Sequence, residues 1–175
     1  MPVTIRTAGP EDAPEVFRLI HELAVYEKLD QSVRTDAQGI RDAMQSDTPR
    51  ITVLLAEEEE THRAVGFALY FYTFSTFEGS PTLYLEDIFV EPSSRGTGIG
   101  SRLLALLARA AQENGCRRME WTALDWNTPA RTFYENLGAV PMDGWIVHRL
   151  GAEGIDAMAQ RATDGPSGNP AVGAP

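Results

Sequence analysis

The sequence predicts an α/β fold with a mixed, mostly antiparallel central sheet flanked by helices, and three observations carry that expectation. A short strand and a helix come first, followed by apolar, β-branched runs separated by turn residues, as in a meander of strands. Strands and helices then alternate, as they do where a parallel pair enters a sheet. At the junction lies YLEDIFVEPSSRGTGIGSRLLALL, residues 84–107. This stretch reads as a strand with two acids at its centre, a turn, and a glycine-rich loop that opens an apolar-faced helix.

The elements follow in order. Val3–Thr7 alternates apolar and polar side chains and is expected as the first strand. Pro10, Glu11 and Asp12 suit a first helical turn, where proline forfeits no intrahelical hydrogen bond and acids meet the positive end of the helix dipole. Val16, Leu19, Ile20, Leu23 and Ala24 carry that helix to about Tyr26 on one apolar face. Thr35 and Asp36 suit the cap of a second helix bearing Ile40 and Met44. Residues 51–57 and 64–75 form a hairpin, and the glutamates 57–60 between its arms are expected as a solvated turn.

Gly79 and Pro81 turn the chain into the acid-bearing strand, 82–90. The helix over 98–114 is expected to bury Ile99, Leu103, Leu106, Leu107, Ala110 and Ala111, with Gly115 as its left-handed end. A strand over 118–124 follows, then a helix capped by Thr128, with Pro129 in its first turn and Gly138 at its close. A last strand over 145–150 and a helix over 152–162 complete a single domain, 1–162. Residues 163–175, rich in Pro, Gly and Ala, are expected as a flexible tail.

Composition narrows the function. The chain carries 25 Asp and Glu against 15 Lys and Arg, a net charge of −10. That balance leaves no basic footprint for a nucleic acid and favours a cationic small molecule as partner. No apolar run approaches spanning length and no signal-peptide core precedes residue 12, so a cytoplasmic protein with no membrane contact is expected. The single Cys116 precludes an intrachain disulfide and is expected to enter a buried strand. His21, His62 and His148 lie in different elements without metal-like spacing, so no metal site is expected. Trp121, Trp126 and Trp145 are expected as core or pocket walls.

The glycine loop is the sharpest motif. A P-loop requires a lysine before its Ser or Thr, and here Ser101 follows Gly100 directly. A dinucleotide fingerprint requires G-x-G-x-x-G, whereas Gly96, Gly98 and Gly100 run as G-x-G-x-G. The spacing that fits is R-x-x-G-x-G, from Arg95 through Gly98 to Gly100. Glycines let the backbone approach an anion, and the free N–H groups of a helix start bind it.

With its strand and helix context, this loop resembles the acetyl-CoA pyrophosphate cradle of the GNAT N-acetyltransferases. Within that superfamily, LIHELAVYE (19–27), YLEDIFV (84–90) and the segment from Trp126 and Asn127 through Phe133 and Tyr134 to Gly138 are similar to the diamine (spermidine/spermine) acetyltransferases. The likeness spans residues 3–150.

The resemblance implies a GNAT fold and an acetyl-CoA-dependent enzyme that acetylates a primary amine, with a small polyamine, diamine or amino-acid-like amine as acceptor. It implies that Ile88, Phe89, Val90, Arg95, Gly96, Thr97, Gly98, Ile99, Gly100, Ser101, Asn127, Pro129, Ala130 and Tyr134 bind the cofactor. Tyr26, Glu27, Glu86, Asp87, Glu120, Trp121 and Thr122 would line the acceptor, and a homodimer is expected.

The chemistry poses two proton problems. An amine of pKa near ~10 arrives protonated and must lose its proton before attack. The CoA thiolate then needs a donor. Glu86 is the candidate base, directly or through water, and Tyr134 the candidate acid. Neighbouring side chains on a regular strand point to opposite faces, so Glu86 and Asp87 reach one site only if the strand bulges. Acetylation of a protein lysine or N-terminus, or a non-catalytic acyl-CoA sensor, are the alternative readings.

Overall fold

In the computed structural model, which describes residues 2–45, 48 and 50–163, the chain divides into two compact units, Met1–Leu124 and Asp125–Pro175. The first unit holds a five-stranded sheet in the order β1 (Val3–Thr7), β2 (Thr52–Glu58), β3 (Ala64–Ser75), β4 (Ser80–Val90) and β5 (Arg118–Glu120). Neighbours are antiparallel through β4, and β5 joins β4 in parallel. The sheet is therefore mixed and mostly antiparallel, as expected.

Helices α1 (Ala13–Glu27) and α2 (Ala37–Gln45) cover one face. There Ala13, Val16, Leu19 and Ile40 pack with Val53, Leu55, Phe67, Leu69 and Phe89 of the strands. Helix α3 (Ile99–Glu113) packs on β2, β3 and β4 and covers the alternate residues, so β3 is buried continuously from Ala64 to Tyr70. Covering both faces removes the polar alternation that a solvated sheet would show.

Local chemistry explains most boundaries. Pro10–Asp12 forms a single 3₁₀ turn ahead of α1. Asp12 also receives two hydrogen bonds from Arg6, whose guanidinium reaches Glu57 on β2 as well. Only part of the glutamate run is thus a turn, since β2 extends through Glu58. Gly115 has φ +68° and ends the helical segment as expected.

Several expectations are corrected. Leu104, not Leu106, belongs to the buried stripe of α3; Leu106 is 37% exposed. Pro81 lies inside β4, paired with Phe74, rather than in the turn before it. Strand β5 stops at Glu120 instead of Leu124, and Cys116 sits half-buried just ahead of it.

The second unit contains α4 (Thr128–Asn136) and α5 (Ala152–Thr163). Asn127, not Thr128, caps α4, its Oδ1 accepting from the Ala130 N–H at 3.3 Å. No strand forms over 145–150, where Trp145, Ile146 and Val147 are each about three-quarters exposed. Those residues have strand propensity, but a strand also needs a ladder partner, and among the described residues none pairs with them. Trp145 and the 48%-exposed Trp126 are accordingly not core residues. The expected tail lies outside the described residues from 164 onward.

Candidate active site

The acid-bearing strand does bulge. Leu69 of β3 pairs with Asp87, and its neighbour Tyr70 pairs with Leu85, leaving Glu86 as the extra residue. Adjacent residues of β3 face opposite sides of the sheet, so Leu85 and Asp87 do too. Leu85 is 1% exposed on the α3 side. Asp87 lies with Leu69 and Phe89 on the side of α1. Glu86 is exposed at the bulge itself.

Strand β5 pairs with β4 only over Thr82, Leu83 and Tyr84, so from Leu85 to Val90 the outer edge of β4 is free of β5. A free edge of this kind offers backbone donors and acceptors to an extended ligand arm. Ile88, Phe89 and Val90 lie along it, and Phe89 is anchored in the core at 5% exposure.

Burial shapes the charges here. Asp87 is pushed up to about 6, first by burial and then by the neighbouring negative charges of Glu86 and Glu27. Glu27, half-buried in the last turn of α1, is likewise raised by burial. The electrostatics therefore unite three expected acceptor residues from two elements. Glu120 pairs with Arg118 at 3.1 Å and stands opposite Tyr84, two residues before Glu86. Trp121 is half-buried and Thr122 exposed.

Past Val90 the chain makes one 3₁₀ turn, Pro92–Ser94, and enters the glycine loop. Thr97 closes the loop by donating its hydroxyl to the Ser94 carbonyl at 2.6 Å. Gly96 and Gly98 have φ of +75° and +85°, conformations that side-chain-bearing residues rarely adopt, and a Cβ at either would meet nothing within 4 Å.

The loop thus bends as glycine favours and leaves open space beside it. Helix α3 then begins at Ile99, with no side-chain cap at Gly98 and no acid in its first turn. The N–H groups of Ile99, Gly100 and Ser101 and the positive dipole end are left for an anion. Those features fit the pyrophosphate of acetyl-CoA.

Arg95 sits differently from a simple phosphate clamp. Its Nε donates to the Val90 carbonyl at 2.9 Å. Its guanidinium carbon lies 4.7 Å from the centroid of the Tyr26 ring and 5.6 Å from that of Phe89.

In the second unit, Asn127 is 7% exposed and initiates α4, with Pro129 and Ala130 in the first turn. Tyr134 is half-buried, its ring 5.5 Å from that of Phe133. Its carbonyl accepts the N–H groups of Leu137 and Ala139 as α4 ends.

One residue next to the site had no sequence signal. Glu91, 5% exposed at the end of β4, accepts from Arg63 at 2.6 and 2.7 Å and from Arg18 at 2.8 Å. Arg18 also donates to the Ala64 carbonyl at 2.6 Å. This buried knot ties α1 and β3 to the point where β4 becomes the loop. An acid before Pro92 looks solvated in sequence, because neither arginine is near it in the chain.

Among the described residues no group of three His, Cys, Asp or Glu is placed to hold a metal ion, and no helix is long and apolar enough to cross a membrane.

Comparison with known proteins completes the picture. Residues 14–139 match the family model described as "Acetyltransferase (GNAT) family". A thialysine N-epsilon-acetyltransferase from Bos taurus is 37% identical over 166 residues, covering 90% of this chain and 97% of that protein. The spermidine/spermine N(1)-acetyltransferase-like protein 1 of Homo sapiens is 35% identical over 89% of this chain, which spans 23% of its length. Among solved structures, an integron cassette protein from Vibrio cholerae superposes with a TM-score of 0.76 at 28% identity, covering 91% of this chain and 99% of that one.

Proposed function

The chain belongs to the GNAT family of acetyltransferases, and from that premise we propose that it transfers the acetyl group of acetyl-CoA to a primary amine on a small cationic acceptor: a diamine, polyamine or amino-acid-like amine. One observation carries the reading. A strand with a bulged pair of acids runs directly into a glycine loop and an uncapped, acid-free helix start. The acids suit an ammonium group, the helix start suits a pyrophosphate, and a single continuous segment holds both. The similarity to a thialysine acetyltransferase and to a spermidine/spermine acetyltransferase-like protein supports an amine acceptor.

Acetyl-CoA supplies an activated thioester carbonyl. The N–H groups at 99–101 hold its pyrophosphate, and the free edge of β4 at Ile88 and Val90 aligns its pantetheine arm. Asn127, Pro129 and Ala130 complete the cofactor contacts at the start of α4. Glu27, Glu86 and Asp87 hold the acceptor's ammonium groups in a field of negative charge, with Tyr26, Glu120, Trp121 and Thr122 lining the same side. Glu86, solvated at the bulge, takes the proton from the reacting ammonium, directly or through water.

The amine lone pair then attacks the thioester carbon and the C–S bond breaks. The Tyr134 hydroxyl gives its proton to the departing thiolate, and the second proton leaves the nitrogen as the amide forms and restores the phenol through solvent. Orientation of the two substrates supplies much of the remaining rate. A homodimer in the cytoplasm completes the reading, in keeping with the lone Cys116 and a reducing compartment.

The test is thiol release from acetyl-CoA over a panel of diamines, polyamines, basic amino acids and lysine-containing peptides. Turnover is expected with the small amines. Turnover with peptides alone would move the acceptor to protein, and tight acetyl-CoA binding without turnover would make the chain a sensor. Tyr134→Phe is expected to lower kcat by roughly 10²-fold or more, the usual share of a general acid, while leaving acetyl-CoA affinity near wild type.

A further inference from the structure

The arginine that opens the glycine motif is exposed, yet protein groups hold it at three points. Its Nε is engaged by the Val90 carbonyl at 2.9 Å. Its guanidinium carbon stands over the Tyr26 ring at 4.7 Å and the Phe89 ring at 5.6 Å, both inside the range in which a cation is drawn to an aromatic face. Three elements therefore meet at one side chain: the end of β4, the loop to which Arg95 belongs, and the last turn of α1.

That turn of α1 also carries Glu27, whose charge reaches Asp87 across the acid cluster. So the segment presenting acceptor-side groups is joined by Arg95 to the segment presenting cofactor-side N–H groups. Setting a cation over a ring while one N–H is held by a carbonyl suits arginine; lysine keeps the charge but lacks the delocalised guanidinium and its fork of donors.

We propose that Arg95 is a positioning residue, a strut between Tyr26 and the glycine loop, through which the acceptor side of the site sets the affinity of the loop for acetyl-CoA. The proposal rests on the acetyl-CoA reading of the loop. Tyr26 need not touch the cofactor for its ring to matter to cofactor binding. The loop turns through two positive-φ glycines, and the strut fixes its start against β4 and α1 before the cofactor arrives.

The experiment measures acetyl-CoA Kd by calorimetry in the absence of amine for the wild type, Tyr26→Phe, Tyr26→Leu, Arg95→Lys and the Tyr26→Leu/Arg95→Lys double variant. Tyr26→Phe keeps the ring and should bind like wild type. Tyr26→Leu loses the ring face and should weaken binding roughly 2- to 30-fold, the span of a cation–π contact from exposed to desolvated. Arg95→Lys should weaken it comparably despite keeping its charge. The double variant should be little worse than either single one, because both changes break the same contact.

Arg95→Lys equal to wild type would show that only its charge matters and overturn the strut. Additive losses in the double variant, or equal losses in Tyr26→Phe and Tyr26→Leu, would do the same. Should Tyr26→Leu not yield folded protein, the exposed Arg95→Lys and conservative Tyr26→Phe variants still decide between strut and charge. Wild-type protein that binds no acetyl-CoA overturns the reading of the loop itself and the strut with it.

Discussion

Replacing Asp87 by Asn should make the protein more stable at alkaline pH and worse at its chemistry. Asp87 is raised from an ordinary value of 3.8 to about 6 by burial and by Glu86 and Glu27. In the window from about pH 4 to about pH 6 the folded chain therefore holds a proton that the unfolded chain has released. Stability falls as pH rises through that window, the reverse of the behaviour of a salt-bridged aspartate, and above pH 6 the full penalty stands.

A shift of about two units corresponds to a ceiling of about 3 kcal/mol, and relaxation around the neighbouring exposed Glu86 brings the expected value to about 1–3 kcal/mol. Asparagine fills the same volume without the charge. Asp87→Asn should thus gain that amount at pH 8 and nothing near pH 4. For a chain of this size each kcal/mol moves Tm by roughly 2–4 °C. The assay is thermal unfolding by circular dichroism of both proteins at pH 4, 6 and 8, repeated with a saturating diamine. The amine should stabilise wild type more than Asp87→Asn, because only the wild type regains a charge partner. A gap of the same size at pH 4 and pH 8, or an Asn variant less stable at pH 8, would refute the claim that this carboxylate is buried at the expense of stability.

The other expectations are shorter. Glu86→Gln should lower kcat and displace the acid limb of the kcat/KM profile, and an unmoved limb would remove Glu86 as the proton acceptor. Glu91→Ala should cost about 1–3 kcal/mol in urea unfolding, since it strips Arg63 of its carboxylate and leaves Arg18 with Glu15, Glu22 and the Ala64 carbonyl. Glu91 is held below the usual glutamate range by these arginines despite its burial, so that contribution should be present at neutral pH and fade as pH falls through its lowered pKa. Gly98→Ala places a side chain at φ +85° and should cost about 1–2 kcal/mol of backbone strain, read by chemical denaturation. The same change should weaken acetyl-CoA binding, as calorimetry would show.

What the sequence could and could not convey is clearest along β4. The glycine loop was legible because its geometry is local: Gly96 and Gly98, inside R-x-x-G-x-G, are the same residues that take positive φ and open the uncapped helix. The strand before it was legible as a strand, but its faces were not. Leu83, Leu85 and Phe89 sit at even spacing and read as one buried row, with Asp87 an interruption in it. The pairing of Leu69 with Asp87 and Tyr70 with Leu85 breaks that row, because the extra residue at Glu86 sends Leu85 toward α3 and Phe89 toward α1.

A bulge is a relation between two strands, and a period counted along one strand cannot contain it. The same limit applies to β5, which stops at Glu120 although apolar residues continue, and to 145–150, where propensity is present but a ladder is not. Glu91 shows it in charge rather than in backbone, since its partners come from α1 and the start of β3. The bulge also gives the two acids different surroundings. It leaves Glu86 in solvent and turns Asp87 inward, where its charge is costly. On the proposed reading, an acceptor ammonium beside Asp87 would recover the energy that its burial and the neighbouring Glu86 and Glu27 charges cost.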